Sequence, residues 1–146
     1  MADDDRSDAL RAAAQKRIEL KQAISEVETA TASASARPDW RPRLAAALGD
    51  LNEALLRHVE EVEGSEGLLA ELMTKAPRLS RRIEEVRDEH PQLCHQATKV
   101  IDSLDDEAKV DVIRADVLDL LSAIARHRQA GADLVYEGYE VDLGGG

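Results

Sequence analysis

Three histidines, His58, His90 and His127, stand at positions where the surrounding sequence predicts a buried leucine. Around each of them, apolar residues recur at alternating intervals of three and four, which is typical of a helix face turned toward a protein core. The interrupted runs are Leu44, Leu48, Leu51, Leu55, His58 and Val62; Leu79, Ile83, Val86, His90, Leu93, Ala97 and Val100; and Ile113, Val117, Leu120, Ile124 and His127. Because buried polar groups are costly without partners, three imidazoles on three inward faces indicate a site.

Metal binding is one interpretation of the three histidines, since imidazole nitrogens are common ligands of zinc and ferrous iron. The nearest carboxylates are Glu61, one turn after His58, and Glu89, directly before His90. We count both glutamates as candidate ligands of one iron or zinc ion. The other interpretation is a metal-free polar layer, in which the imidazoles hydrogen-bond to one another, to the glutamates and to Arg17.

A fourth polar residue, Arg17, interrupts the apolar run of the first predicted helix between Ala13 and Leu20. A guanidinium stays charged and repels a divalent cation unless a carboxylate lies between them. If Arg17 points inward, we expect an ion pair with Glu61 or Glu89 and a site without metal. The alternative is an arginine that extends along its helix into solvent and leaves the site free.

Four helices are predicted to carry these residues. The first is expected over residues 8–30 after an N-cap at Ser7, and the second from Trp40 to Thr74 with weak points at Gly64 and Gly67. Pro77 opens the third helix. The fourth follows the acidic turn of residues 103–107 and continues to about Tyr136 or Tyr139. Short connections between four helices predict an all-α, up-down-up-down antiparallel bundle. We expect residues 1–7 to form a disordered acidic tail, residues 8–140 the bundle, and residues 141–146 a flexible glycine-rich tail.

The composition supports helices and excludes several functions. There is no Phe, one Trp and two Tyr, which suits close-packed helices better than a sheet. A formal net charge of −11 argues against binding to nucleic acid and to anionic membrane surfaces. No apolar run is long enough for a membrane span. The first residues lack the features of a signal peptide, and the single cysteine, Cys94, fits a reducing compartment, so we expect a cytoplasmic protein.

The run of residues 55–61, the pair Glu89-His90 and the final His127 resemble the hemerythrin-like (HHE cation-binding) four-helix bundles. That resemblance implies a histidine at mid-helix on each of four helices. The family's di-iron pattern is incomplete, because its further ligand positions are occupied here by Val62, Cys94 and Ala132, and its first-helix histidine by Arg17. The resemblance therefore implies a site for at most one metal ion.

No nucleophile–base pair, phosphate-binding loop or nucleotide fingerprint is present in the sequence, so we do not expect an enzyme. The leading hypothesis is a small cytoplasmic hemerythrin-like bundle with a reduced histidine site for at most one ion. The competing hypothesis is a metal-free interaction module, which engages a protein partner or a second copy of itself through its acidic surface or C-terminal segment. Cys94, one turn after His90, is interpreted as a small buried hydrophobe rather than as a ligand.

Overall fold

The computed structural model describes the backbone of residues 2–64, 67–105 and 107–141, and the side chains of residues 8–64, 67–105 and 107–139. This part of the chain is helical and contains no β-strand. Its α-helices are α1 (Ala2–Ala32), α2 (Trp40–Glu63), α3 (Leu68–Lys75), α4 (Ser80–Asp102) and α5 (Val110–Val135); single 3-10 turns cover Ala34–Ala36 and Pro77–Leu79, and a π-helical segment covers Tyr136–Val141.

The four long helices pack against one another, α1 on α2, α2 on α4, and α4 on α5, and α5 also contacts α1. The prediction of an all-helical protein built from four long helices is therefore confirmed. The inward faces follow the predicted seams: Leu51 and Leu120 are fully buried, and Trp40 is the first residue of α2. None of the helices in the described part of the chain combines the length and the apolar character needed to cross a lipid bilayer.

The second predicted helix, expected to run from Trp40 to Thr74, is divided in two. It ends at Glu63, and α3 begins at Leu68. The chain folds back so closely here that a Cβ at Gly67 would stand 2.3 Å from the carbonyl oxygen of Glu61, and only glycine permits that approach. The break turns α3 inward, where Leu68, Leu69 and Leu72 are buried.

The first helix is longer than predicted, since α1 begins at Ala2 and Ser7 lies inside it rather than at its start. Extending an existing helix costs little compared with nucleating one, which is why local sequence is a weak guide to helix ends. Met1 and residues 142–146, which include most of the predicted glycine-rich tail, lie outside the described residues.

The buried apolar residues form two clusters along the molecule. The larger cluster contains Leu20, Leu51 and Leu120, and the smaller one contains Val62, Leu72 and Ile83 among others. In α2, α4 and α5 the histidines lie between the stretches of helix that supply these two clusters. The C-terminal segment closes the smaller cluster, because Tyr139 is buried there and its hydroxyl donates a hydrogen bond to Glu71.

Candidate metal centre

The structure brings the three predicted histidines together, each from a different long helix. His58 comes from α2, His90 from α4 and His127 from α5. The ring centroids are 5.7 Å apart for His58 and His90, 5.9 Å for His58 and His127, and 4.6 Å for His90 and His127. All three residues are buried, with exposed fractions of 9%, 2% and 3% in chain order. Three inward-facing seams thus meet in one polar layer, which we call the histidine layer.

One nitrogen from each ring lies within 4.8 Å of the corresponding nitrogen of the other two rings. Two imidazoles on one tetrahedral zinc ion, each at roughly 2.1 Å from the metal, have their nitrogens roughly 3.4 Å apart. The nitrogens therefore need to close by at most about 1.4 Å to share an ion. The three histidines form a cluster that could hold a metal ion.

Two glutamates hold the outer nitrogens of the cluster. The Nδ1 atom of His90 lies 2.7 Å from Oε1 of Glu63, and the Nδ1 atom of His127 lies 2.8 Å from Oε1 of Glu89. An ionised carboxylate only accepts hydrogen bonds, so each Nδ1 carries the proton and donates it. The lone pair of each ring is then on Nε2, which is the arrangement that metal-bound histidines commonly show.

The two predicted carboxylates take different places. Glu89 contacts the cluster through the Nδ1 atom of His127, and neither Glu89 nor Glu61 belongs to the group of three residues whose atoms could share an ion. Sequence reasoning missed Glu63, because a residue five positions after His58 lies off the inward face of a regular helix. It reaches His90 from the last position of α2. A comparison of how far along the bundle Glu63 on α2 and His90 on α4 lie could have indicated this contact.

Two buried ring nitrogens have no hydrogen-bond partner among the described residues: Nδ1 of His58 and Nε2 of His90. Buried polar atoms in native proteins are nearly always paired, and an exception calls for an explanation such as a bound ion. No hydrogen bond joins the three imidazoles to one another within the described chain. The metal-free polar layer considered from the sequence is therefore formed only in part: His90 and His127 each bond to a glutamate, whereas the imidazoles do not bond to one another.

The electrostatic environment of His58 and His90 favours the neutral imidazole. Burial, followed by the neighbouring His90 and His127 and then by Arg17 and Arg128, lowers the pKa of His58 to about 4. Burial also lowers the pKa of His90, although the hydrogen bond that His90 donates to Glu63 opposes the shift. His58 is therefore neutral at pH 7, and a neutral imidazole is the form that coordinates a cation.

Arg17 is exposed, and no ion pair links it to Glu61, Glu89 or any other carboxylate of the described chain. Glu89 is engaged with His127 instead. The inward ion pair considered from the sequence is therefore not formed, and the side chain remains exposed. Its charge still reaches the layer, because Arg17 contributes to the lowered pKa of His58.

A cavity of about 50 Å³ opens beside the histidine layer. That space exceeds the roughly 10–15 Å³ that a single water molecule needs. The three histidines form one wall, and Arg17 and Arg128 line it as well. The remaining lining residues carry no charge: Ala13, Val62, Leu68, Leu69, Val86, Gly131, Ala132 and Val135.

The other ligand positions of the di-iron pattern contribute no metal-binding group. Val62 is buried and apolar, and Ala132 has no donor atom. Cys94 is half-buried, and burial, together with the charge of Glu63, raises the pKa of its thiol, which opposes the thiolate form that binds metals. Among the described residues, the three histidines are the only cluster of potential ligands.

A comparison of the chain with protein-family models, with curated proteins and with solved structures gives no match. The structure thus defines a four-helix protein with a buried three-histidine cluster. The resemblance to the hemerythrin-like bundles rests on the sequence motifs alone.

Proposed function

We propose that this protein binds one divalent metal ion, preferentially zinc, through His58, His90 and His127. The observation that carries the proposal is that His58, His90 and His127 converge, while two of their buried ring nitrogens, Nδ1 of His58 and Nε2 of His90, have no partner in the described chain. An ion at their centre would satisfy the nitrogens that folding has removed from water. The carboxylates of Glu63 and Glu89 would orient two of the three ligands from behind.

The donor set favours zinc over ferrous iron. Non-haem ferrous sites commonly combine two histidines with a carboxylate ligand, whereas the glutamates here contact the outer nitrogens of His90 and His127. Zinc accepts three imidazoles and leaves one tetrahedral position for another ligand. The cavity beside the layer supplies room for that ligand.

We further propose that the molecule is a hemerythrin-like, up-down-up-down bundle of the cytoplasm, reduced to a single-ion site. The contribution of one histidine each by α2, α4 and α5 supports this view, as does the lack of donors at Val62 and Ala132 for a second ion. We propose a binding function rather than an enzymatic one. The charged residues of the cavity wall are Arg17 and Arg128, and arginine is a poor general base because it does not give up its proton.

Metal titration of tag-free protein, followed by chelator competition, tests the proposal. The wild type is expected to bind one equivalent of zinc, and the cobalt(II) form to show the strong visible absorption of a tetrahedral site. His90→Gln should lose stoichiometric binding. His95→Gln is the matched control, since His95 is an exposed neighbour on the same helix, and it should bind like the wild type.

Circular dichroism of the metal-free variants verifies that each one folds. Two results would overturn the metal site: a folded wild type that takes up no zinc or iron, or a His90→Gln protein that binds as tightly as His95→Gln. The metal-free interaction module would then be the better description, and its partner would be sought among proteins that bind the acidic surface or the C-terminal segment.

A further inference from the structure

The cavity beside the histidine layer is positively charged in a protein that is otherwise strongly acidic. The formal net charge of the chain is −11, yet among the described residues the cavity is lined by Arg17 and Arg128 and by no carboxylate. Neither arginine forms an ion pair with a described residue. Arg17 is exposed and Arg128 is half-buried, so both side chains are available to an anion that enters the cavity.

A metal ion alone would make this charge imbalance worse. The charges of Glu63 and Glu89, behind the histidines, are matched by those of Arg17 and Arg128, so the charge of a divalent ion remains without compensation. A guanidinium and a divalent cation repel each other at short range in a site of low dielectric. An anion placed between them converts that repulsion into two attractions.

We propose that a small organic carboxylate occupies the cavity, with one oxygen at the open position of the ion and its charge facing Arg17 and Arg128. This inference rests on the proposed zinc site and names the ligand that completes it. Guanidinium groups are well suited to carboxylates, because their planar array of N–H donors matches the two oxygens.

The walls of the cavity distinguish an organic acid from an inorganic oxyanion. Around the two arginines and the histidines, the lining side chains are apolar, among them Val62, Leu69 and Val135. Phosphate would place strongly hydrated oxygens against these side chains, which is unfavourable without hydrogen-bond donors. A short alkyl chain would bury apolar surface there, which is favourable. The cavity of about 50 Å³ limits the ligand to a small one.

Isothermal titration of the zinc-loaded protein with butyrate tests the inference, in a buffer free of carboxylate and phosphate. Acetate and phosphate serve as comparison ligands, and the metal-free protein is titrated in parallel. The variants are Arg17→Gln and Arg128→Gln. Arg126→Gln is the control, because it removes the same charge from an exposed position on α5 that does not line the cavity.

We expect saturable binding of one butyrate, tighter than acetate or phosphate and dependent on zinc. Loss of one charge-assisted hydrogen bond should weaken butyrate binding by about tenfold in Arg17→Gln and in Arg128→Gln, and Arg126→Gln should bind like the wild type. Zinc affinity measured without carboxylate should change in the opposite direction and rise in both cavity variants, because a cation beside the ion has been removed.

Three results would overturn the carboxylate site while leaving zinc binding intact: no saturable butyrate binding by the zinc-loaded protein, equal effects of Arg126→Gln and the cavity variants, or phosphate binding tighter than butyrate. Equal binding of butyrate to the metal-free protein would also overturn it, since the ion would then take no part. A wild type that binds no zinc would overturn the metal site as well.

Discussion

The histidine layer and a second layer of the same bundle occupy equivalent helical positions and are both buried, but they differ in what their atoms contact. Leu51, Ala97 and Leu120 each lie seven residues from a histidine of α2, α4 or α5, which is two helical turns. All three are fully buried in the larger apolar cluster, and we call them the apolar layer. There, burial removes only carbon atoms from water.

Burial in the histidine layer also removes ring nitrogens from water, and two of these nitrogens gain no partner in the described chain. Apolar burial stabilises the folded state, whereas an unpaired buried polar group destabilises it. Burial on equivalent helix faces can therefore stabilise the folded state in one layer and destabilise it in the other. A side chain retained at such an unfavourable position is better explained by binding than by packing.

Truncation in the apolar layer should produce the largest change in stability. Leu120→Ala leaves a cavity in a fully buried region, and we expect the free energy of unfolding to fall by about 2–5 kcal/mol. Urea denaturation of the metal-free protein measures it. Leu118→Ala is the control, because Leu118 is an exposed leucine on the same helix, and its effect should be small. Equal losses in the two variants would contradict the assignment of α5's inward face.

The histidine layer should respond to acid, and the apolar layer should not. Burial holds the pKa of His58 at about 4 in the folded protein, below its ordinary value of 6.5. Between these values the unfolded chain takes up a proton that the folded chain does not. This titration therefore leaves the free energy of unfolding unchanged above about pH 6.5. As the pH falls toward 4, it lowers the free energy of unfolding by up to about 3 kcal/mol.

His58→Leu isolates this contribution in protein kept free of metal by a chelator. At pH 7 we expect the variant to be more stable than the wild type by about 1 kcal/mol, because an unpartnered nitrogen has been removed. The difference should widen by about 2 kcal/mol at pH 5. His95→Leu, at an exposed site, should show no such widening. A difference between wild type and His58→Leu that stays constant from pH 7 to pH 5 would contradict the buried, neutral state of His58.

The glutamates behind the histidines should influence the metal more than the fold. Glu63→Gln removes the charge that accepts the Nδ1 proton of His90, and we expect zinc affinity to fall by about 10–100-fold. Chelator competition measures the affinity. Glu61→Gln is the matched control two residues earlier on α2, and it should bind zinc like the wild type. A larger loss in Glu61→Gln than in Glu63→Gln would restore the ligand assignment made from the sequence.

The inward faces were predictable because they depend on local periodicity alone. The same alternation of three and four that placed Leu51 and Leu120 in the core also placed the three histidines inward, and their convergence followed. The contact of Glu63 with His90 was not predictable in this way. It depends on where α2 ends, and just beyond that end the chain folds back so that Gly67 approaches the carbonyl of Glu61 in the last turn of the helix.

The orientation of Arg17 illustrates a second limit of sequence reasoning. Its position on the apolar run of α1 suited both an inward ion pair and an outward extension, because a long side chain can bury its stem and still expose its charge. The choice depended on its candidate partner, Glu89, and the structure pairs Glu89 with His127. Competition for one carboxylate between two elements distant in sequence leaves no local signal.

Substitution of Cys94 should produce the smallest effect. Because Cys94 lies on α4 between His90 of the histidine layer and Ala97 of the apolar layer, its substitution tests the boundary between the two layers. Its thiol is half-buried and packs against the larger apolar cluster, and burial raises its pKa. Since a protonated thiol is a weak metal ligand, we expect Cys94→Ala to leave zinc affinity unchanged. The loss of one small, partly exposed side chain should lower the free energy of unfolding by less than about 1 kcal/mol.

Chelator competition and urea denaturation of Cys94→Ala, beside Glu63→Gln, measure both quantities. A drop in zinc affinity as large as that of Glu63→Gln would place the sulfur at the ion, and Cys94 would then belong to the histidine layer rather than to the apolar cluster.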